Sequence, residues 1–253
     1  MSPSATPADH IDAAALAAEA GTLLLGIRRG IADGRSAGEI KDTGDKGAHE
    51  LLMRRLAQTH PDDAVLSEEG ADDPSRLTAT RTWIVDPLDG TREFGEPPRV
   101  DWAVHVALVI GEVAVAGAVA LPARDMVLST TPGRIPVMPP RPPGAAPRIA
   151  VSRTRPPPSA DLLVRALDAE LVPMGSAGAK AMAVVLGDAD IYAHSGGQYE
   201  WDSAAPVAVA AAAGLHVSRL DGSPLRYNQP DPWLPDLLIC RPELVDDVLA
   251  ALR

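Results

Sequence analysis

The segment WIVDPLDGTREF, Trp83 to Phe94, ends an apolar strand pattern in two carboxylates. Asp86 precedes Pro87, which favours extended backbone at Asp86 and so directs its side chain outward from the strand end. Asp89 follows three residues later, after a turn short enough to bring it back beside Asp86. Two carboxylates held this close repel each other unless a cation lies between them, and such oxygen ligands suit Mg²⁺. The segment therefore predicts a divalent-metal site.

The same residues also have a simpler interpretation as a turn, because Pro87 fixes φ and Gly90 accepts positive φ. Two further acidic positions favour the metal site. Glu68 ends the preceding predicted strand, and would emerge at the same sheet edge if the two strands are neighbours; Asp202 begins an alanine-rich helix. An aspartate in that position is by itself most often a helix N-cap, so only the combination indicates metal binding.

Hydrophobic periodicity predicts the elements that would position these carboxylates. In the first part of the chain we expect helices at 10–30 and 49–59 with a polar loop between them, and strands at 64–66, 81–85, 102–110, 113–121 and 126–130. After the Pro-rich stretch, strands and helices alternate, at 148–152, 159–169, 171–174, 178–186, 189–193 and 202–213. This alternation is typical of a layered α/β arrangement.

The Pro-rich stretch is the one clear break in composition, and it cannot form regular structure. We therefore predict three segments: an N-terminal metal-binding α+β half at 1–131, a Pro-rich linker at 132–147 and a C-terminal α/β half at 148–253.

Composition restricts the partners. A net charge of −11 over 253 residues disfavours nucleic acid and anionic membranes, since no basic field offsets phosphate repulsion. The single cysteine, Cys240, excludes an intrachain disulfide. No secretory signal is recognisable, so we expect a cytoplasmic protein, either a monomer or a homodimer.

Taken together, the Asp-Pro-Leu-Asp-Gly-Thr run, the upstream Ser-Glu-Glu and the downstream Trp-Asp resemble the inositol monophosphatase superfamily. Its members are Mg²⁺-dependent, lithium-sensitive phosphatases, and the resemblance runs through nearly the whole chain. It implies a layered α-β-α-β-α sandwich (α+β or α/β in class) with the site in a cleft between two halves. Within the superfamily, the sequence is most similar to CysQ-type nucleotidases, which hydrolyse adenosine 3′,5′-bisphosphate to AMP.

The resemblance also implies roles for single residues. The implied ligands of two or three Mg²⁺ ions are Glu68, Asp86, the Leu88 carbonyl, Asp89 and Asp202. Glu68 would also help to hold the attacking water. Gly90 and Thr91 match positions whose backbone N–H groups hold the substrate phosphate. The Thr91 hydroxyl matches a group that, with an upstream aspartate, deprotonates that water.

Asp45 is the best candidate for the upstream aspartate, and Asp42 is the alternative, because IKDTGDKGAHE departs from the usual Thr-x-x-Asp spacing. The implied substrate-binding set is Asp89, Gly90, Thr91, Ser176, Gly178, Lys180 and Asp202. Lys180 would meet the second phosphate or the sugar of a nucleotide, or else be a solvated helix lysine. Ser195 stands where inositol phosphatases carry a glutamate for inositol hydroxyls. Glu200, the nearest carboxylate, is expected to point elsewhere.

These features favour adenosine 3′,5′-bisphosphate over inositol 1-phosphate or fructose 1,6-bisphosphate as substrate. A haloacid-dehalogenase-type phosphatase is excluded, because the first aspartate of its Asp-x-Asp-Gly-Thr run would have to stand two residues before Asp89, where this sequence has Pro87. The remaining alternative is a protein that keeps this fold and binds Mg²⁺ and nucleotide without catalysis.

Overall fold

Two five-stranded sheets form the framework of the computed structural model, which describes residues 4–253. The first sheet has its strands in chain order: β1 (Ala64–Ser67), β2 (Arg81–Asp89), β3 (Ala103–Ile110), β4 (Val113–Leu121) and β5 (Met126–Ser129). β1 and β2 are parallel, whereas the other neighbours are antiparallel. The parallel pair brings the carboxyl ends of β1 and β2 to one edge.

The second sheet lies after the Pro-rich segment and has the order β7-β6-β8-β10-β9. Its strands are β6 (Arg148–Ser152), β7 (Glu170–Met174), β8 (Ile191–Tyr199), β9 (His216–Ser218) and β10 (Trp233–Cys240). β6 pairs in parallel with β7 and β8, and β10 is antiparallel to both of its neighbours.

Helices separate and cover the sheets. They are α1 (Pro7–Arg28), α2 (Ala37–Thr59), α3 (Thr91–Phe94), α4 (Pro158–Leu167), α5 (Ala177–Leu186), α6 (Glu200–Ala212) and α7 (Val245–Ala251). α1 and α2 pack on the outer face of the first sheet, α5 and α6 lie between the sheets, and α4 and α7 cover the second sheet. The predicted α-β-α-β-α sandwich is confirmed.

Most elements of the predicted order are confirmed, including the β3–β4 hairpin and the alternating strands and helices after residue 147. The division into two halves joined by a linker stays a prediction, although the first sheet ends at Ser129 and the second begins at Arg148.

The predicted polar loop before the second helix is wrong, because α2 begins at Ala37. A capping box starts it: Ser36 Oγ accepts a hydrogen bond from the Glu39 N–H, and the Glu39 carboxylate accepts one from the Ser36 N–H. Ile40, Gly44 and Ala48 are buried at helical spacing in this polar stretch. Asp45 therefore lies on a helix and not in a loop.

The predicted elements stop at residue 213, whereas the structure has three more after it, β9, β10 and α7. β8 extends to Tyr199 because a bulge absorbs the two glycines that resemble a turn: Leu234 pairs with Gln198, and Asp236 pairs with Ser195.

In the described range, α1 with its 3₁₀ extension (Pro7–Ile31) is the helix long and apolar enough, by length and composition, to cross a membrane. Its apolar face is nevertheless buried in this fold, at Ala13, Ala17, Ala20 and Leu24, and it packs against α2, β3 and β4. α1 therefore acts as a core helix of the outer layer.

An ion-pair network ties α1 to the start of β2. Arg81 Nη2 donates to Asp9 Oδ1 at 2.6 Å, and Arg81 Nε donates to Asp63 Oδ1 at 2.9 Å. Asp63 also accepts a hydrogen bond from Trp83 Nε1. Burial raises the pKa of Asp9, but the bonds from Arg81 and Thr6 outweigh it and lower the pKa to about 2.

We expect Asp9→Asn to lower the free energy of unfolding near neutral pH by about 1.5–3 kcal/mol, the scale of a hydrogen bond to a charged group. Because the folded pKa of Asp9 is depressed, its stabilisation is complete above the unfolded value of about 3.9 and is lost as pH falls through about 2. Urea unfolding should therefore show a constant gap to wild type from pH 8 to 5 that narrows below pH 4. The exposed Asp33→Asn is the control. A gap that persists undiminished to pH 2 would contradict the assignment.

Candidate active site

The site begins where β2 leaves its ladder with β3. Asp86 pairs with His105 and Asp89 pairs with Ala103, so the register shifts between the two aspartates and the strand bulges. The Leu88 N–H, released from the ladder, donates to Asp86 Oδ1 at 3.0 Å. Asp86 and Asp89 are both buried. The bulge therefore turns two successive carboxylates toward the same space.

Asp202, in the first turn of α6, completes a cluster. One carboxylate oxygen from each of Asp86, Asp89 and Asp202 lies within 4.8 Å of the others. Burial raises the pKa of Asp86 well above its ordinary value, and the charges of Glu68 and Asp89 raise it further. Burial and the charge of Asp89 raise the pKa of Asp202 to about 6. The three carboxylates are therefore unfavourable neighbours without a counter-charge.

Glu68 follows the end of β1, beside Asp86. The parallel pairing of β1 with β2 places it at this edge, as the sequence predicts. Although the residue as a whole is exposed, loss of solvent at its carboxyl group raises the pKa of Glu68 to about 7, against the opposing effect of a hydrogen bond with Asp86. Asp202 and Asp89 contribute to the same upward shift.

The donor set fits a hard divalent cation. It offers buried, mutually repelling carboxylate oxygens at one point, and a cation there would remove the repulsion that raises their pKa values. Asp86, Asp89 and Asp202 would hold the ion, with Glu68 beside them. Their roles as ligands, and that of the Leu88 carbonyl, stay predictions.

Asp89 differs from its neighbours because the start of α5 donates to it. Ser176 Oγ and the backbone N–H groups of Ala177 and Gly178 all donate to the Asp89 carboxylate. Burial raises the pKa of Asp89, but His105, Ser176 and Lys180 together lower it to about 2. Ser176 and Gly178, predicted to bind substrate, thus lie against a predicted metal ligand.

His105 is the site residue that sequence reasoning missed. It is fully buried on β3, with Nε2 3.1 Å from Asp89 Oδ2 and Nδ1 3.0 Å from the Trp201 carbonyl oxygen. Burial lowers the pKa of His105, but the charge of Asp89 reverses this, so the pKa is raised overall. The Trp201 carbonyl oxygen accepts from Nδ1, and a second proton on Nε2 would place a positive charge beside Asp89. The available signal was a lone histidine in an otherwise apolar strand.

Thr91 and Asp45 meet at the other end of the site. Thr91 Oγ1 lies 3.4 Å from Asp45 Oδ1 and 3.1 Å from the Leu88 carbonyl oxygen. Gly44 allows this approach, because a Cβ there would lie 2.8 Å from the Phe94 ring. Burial and the charge of Glu69 raise the pKa of Asp45 to about 7. The structure brings Asp45 to Thr91, whereas Asp42 lies exposed on α2.

Lys180 is buried, which excludes the interpretation as a solvated helix lysine. Its Nζ donates to the carbonyl oxygens of Gly175 and Ser176, both at 2.8 Å. Burial lowers the pKa of Lys180, although Asp89 and Asp202 oppose that shift. The ammonium group thus holds the chain at the start of α5, and contact with a second phosphate stays a prediction.

Two further predicted positions point away from the carboxylate cluster. Ser195 Oγ donates to Ser159 Oγ on the outer helix α4 at 3.0 Å. The Glu200 carboxylate accepts hydrogen bonds from the backbone N–H groups of Asn228 and Gln229, so it points elsewhere, as expected.

Comparison with known proteins agrees with this geometry. A sequence model of the inositol monophosphatase family matches residues 8–252, and the chain belongs to that family. It is therefore a phosphatase of that family.

The chain is similar in sequence to curated bacterial phosphatases. The chain is 53% identical over 243 residues to a Mycobacterium tuberculosis protein named 3′-phosphoadenosine 5′-phosphate phosphatase, covering 92% of this chain and 89% of that protein. It is 32% identical over 204 residues to the Escherichia coli 3′(2′),5′-bisphosphate nucleotidase CysQ, covering 75% and 80%. Among solved structures, CysQ from Bacteroides thetaiotaomicron superposes with a TM-score of 0.78 at 29% identity, covering 92% and 97%.

We expect Mg²⁺ to stabilise the protein through this cluster, by about 2.7 kcal/mol at a concentration 100 times its Kd. Asp202→Asn should weaken Mg²⁺ binding about tenfold or more, because it removes one charge from the cluster. The amide oxygen can still accept the hydrogen bond from the Tyr199 N–H that caps α6. Calorimetric titration and thermal unfolding with Mg²⁺ measure both effects.

The matched control is Asp168→Asn, at an exposed left-handed position that asparagine tolerates. Equal Mg²⁺ affinity in wild type and Asp202→Asn would show that Asp202 is not a ligand.

Proposed function

We propose that this phosphatase is Mg²⁺-dependent and removes the 3′-phosphate of adenosine 3′,5′-bisphosphate, giving AMP and inorganic phosphate. The observation that carries the proposal is the buried carboxylate cluster next to the Thr91–Asp45 pair. The names of the mycobacterial and enterobacterial relatives support the choice of substrate. The cytoplasmic location and the oligomeric state stay predictions.

When bound, divalent cations supply neutralisation of the phosphoryl oxygens and activation of water. The residues of the chain have separate tasks. Asp86, Asp89 and Asp202 provide the ligand oxygens, and the backbone at Gly90 and Thr91 orients the scissile phosphate toward them. α5, through its donors to Asp89, fixes the position of that carboxylate.

Proton removal from the attacking water falls to Thr91 and Asp45. The Thr91 hydroxyl can accept a proton from water while it donates its own to Asp45, 3.4 Å away. A carboxyl group with a pKa of about 7 is a suitable acceptor near neutral pH, since general bases work best when their pKa lies near the operating pH. The half-buried position of Asp45 on α2 keeps this acceptor at a fixed distance.

A phosphate-release assay with Mg²⁺ tests the substrate. We expect kcat/KM to be highest for adenosine 3′,5′-bisphosphate and lower for inositol 1-phosphate and fructose 1,6-bisphosphate, because Ser195, which bonds to Ser159, offers no ligand to a polyol ring. Preference for inositol 1-phosphate would overturn the nucleotidase proposal. Release from none of the three would favour a non-catalytic binding protein.

We expect Thr91→Val to lower kcat by about 10²-fold or more, the scale of general-base assistance, with little change in KM. Valine keeps the branched shape but loses both hydroxyl contacts. Thr43→Val is the matched control, because Thr43 is exposed on α2. Its hydroxyl donates to the Glu39 carbonyl oxygen and accepts from Arg35 Nη2. An increase in KM alone would make Thr91 a phosphate-binding residue only.

A further inference from the structure

A cavity of about 300 Å³ lies beside Thr91 and is basic, in a protein of net charge −11. Its walls come from α3 with the residue before it, from the loop after β6, and from the start of α5. Four cationic side chains and one carboxylate line it: Arg92, Arg153, Arg155, Lys180 and Glu93. It therefore differs in sign from the carboxylate cluster next to it.

Two of these cations already have partners. Arg153 Nε donates to Glu93 Oε1 at 2.6 Å, and its Nη2 donates to Glu96 Oε2 at 2.7 Å. Lys180 uses its ammonium group on backbone carbonyl oxygens and is buried. Neither group is free to bind a substrate anion without losing a structural contact.

Arg92 and Arg155 are different. Both are exposed, and in residues 4–253 neither has a carboxylate within ion-pair distance. Arg92 Nη1 donates to Thr154 Oγ1 at 3.0 Å, which holds it against the loop that carries Arg155. Two guanidinium groups without counter-charges thus line the same cavity as Thr91.

We propose that Arg92 and Arg155 form the subsite for the second phosphate of the substrate, the one that is not hydrolysed. This inference rests on the proposed function. Gly90 and Thr91, which hold the scissile phosphate in the proposed function, line this cavity together with Arg92 and Arg155. Planar guanidinium groups bind phosphate oxygens in a bidentate manner. The subsite takes a 5′-phosphomonoester, and it replaces Lys180 as the expected partner of that group.

The first test compares adenosine 3′,5′-bisphosphate with adenosine 3′-monophosphate, which lacks the second phosphate. Arg155→Gln should lower kcat/KM for the bisphosphate about tenfold to hundredfold, chiefly through KM, the range expected for loss of a charge-assisted hydrogen bond. The ratio of kcat/KM values between the two substrates should fall by the same factor. Arg92→Gln should act in the same direction, and Arg155→Lys should retain part of the preference.

Arg165→Gln, at an exposed position on α4, is the matched control and should leave the ratio at the wild-type value. Equal losses for both substrates in Arg155→Gln would overturn the subsite while leaving the proposed function intact.

A second test does not depend on turnover. Thermal unfolding with Mg²⁺ should show that adenosine 5′-monophosphate raises the Tm of wild type more than adenosine does, and that Arg155→Gln removes the difference. The subsite assignment is wrong if AMP raises the Tm of wild type and of the variant equally, or if it raises the Tm of neither protein. If wild type fails to hydrolyse the bisphosphate, the proposed function is wrong, and the AMP comparison alone then decides the subsite.

Discussion

The joint between β2 and α5, at the Asp89 carboxylate, is the interaction on which the site depends. Asp89 belongs to the first sheet, whereas its donors Ser176, Ala177 and Gly178 precede or begin a helix of the C-terminal part. A buried carboxylate without donors would take up a proton. Here the donors, with His105, keep the pKa near 2, so that Asp89 is ionised before any cation arrives. One side chain therefore connects the first sheet to the start of α5 and provides the fixed charge of the cluster.

Close packing around this joint explains the residues beside it. A Cβ at Gly178 would lie 2.0 Å from His105 Nε2, so no larger residue fits there. Ser176 has φ +35°, which is strained for a residue with a Cβ and costs about 1–2 kcal/mol. Its hydroxyl offsets that strain, since it donates to Asp89 and accepts from the Ala179 N–H. Lys180 adds two bonds to carbonyl oxygens in the same turn. The strain thus lies where backbone donors must face a carboxylate.

The other carboxylates of the cluster stabilise the metal-free fold only while they are protonated. The pKa values of Asp202 and Glu68 are raised to about 6 and about 7, so each binds a proton more tightly folded than unfolded. Their contribution is complete below the ordinary carboxyl pKa of about 4 and is lost as pH rises through 6 to 7. At neutral pH the cluster therefore weakens the metal-free fold, and a cation bound there would reverse that effect.

The sequence predicted the features that depend on local residue patterns. It did not predict the contacts between residues that are far apart in the chain. The approach of Asp89 to Asp86 could be expected from Pro87, although the chain between them is a bulged continuation of β2 and not the predicted turn. The layered order could be expected from periodicity. The capping box of Ser36 could be recognised in the sequence, but the polar stretch after it resembles a loop because Ile40 is its one large buried residue and the other two are Gly44 and Ala48. The position of His105 opposite Asp86 and the burial of Lys180 depend on strand register and helix packing, which no local pattern gives.

An acidic protein that takes a doubly phosphorylated substrate must attract the anion locally, because salt screens charges beyond about 8–10 Å. In the proposed function, the buried acidic cluster would recruit cations and the exposed basic cavity beside it would attract the anion. The exposure of Arg92 and Arg155 limits the selectivity that they can give. If the cations were buried, a monophosphate would leave one of them unpaired and would bind much more weakly. An exposed guanidinium group without a phosphate partner is solvated by water, so its loss of that partner costs little affinity. Such a site favours bisphosphates by adding affinity, so discrimination of about tenfold to hundredfold is its natural scale, far below the 10⁴–10⁵ of sites that leave buried polar groups unpaired.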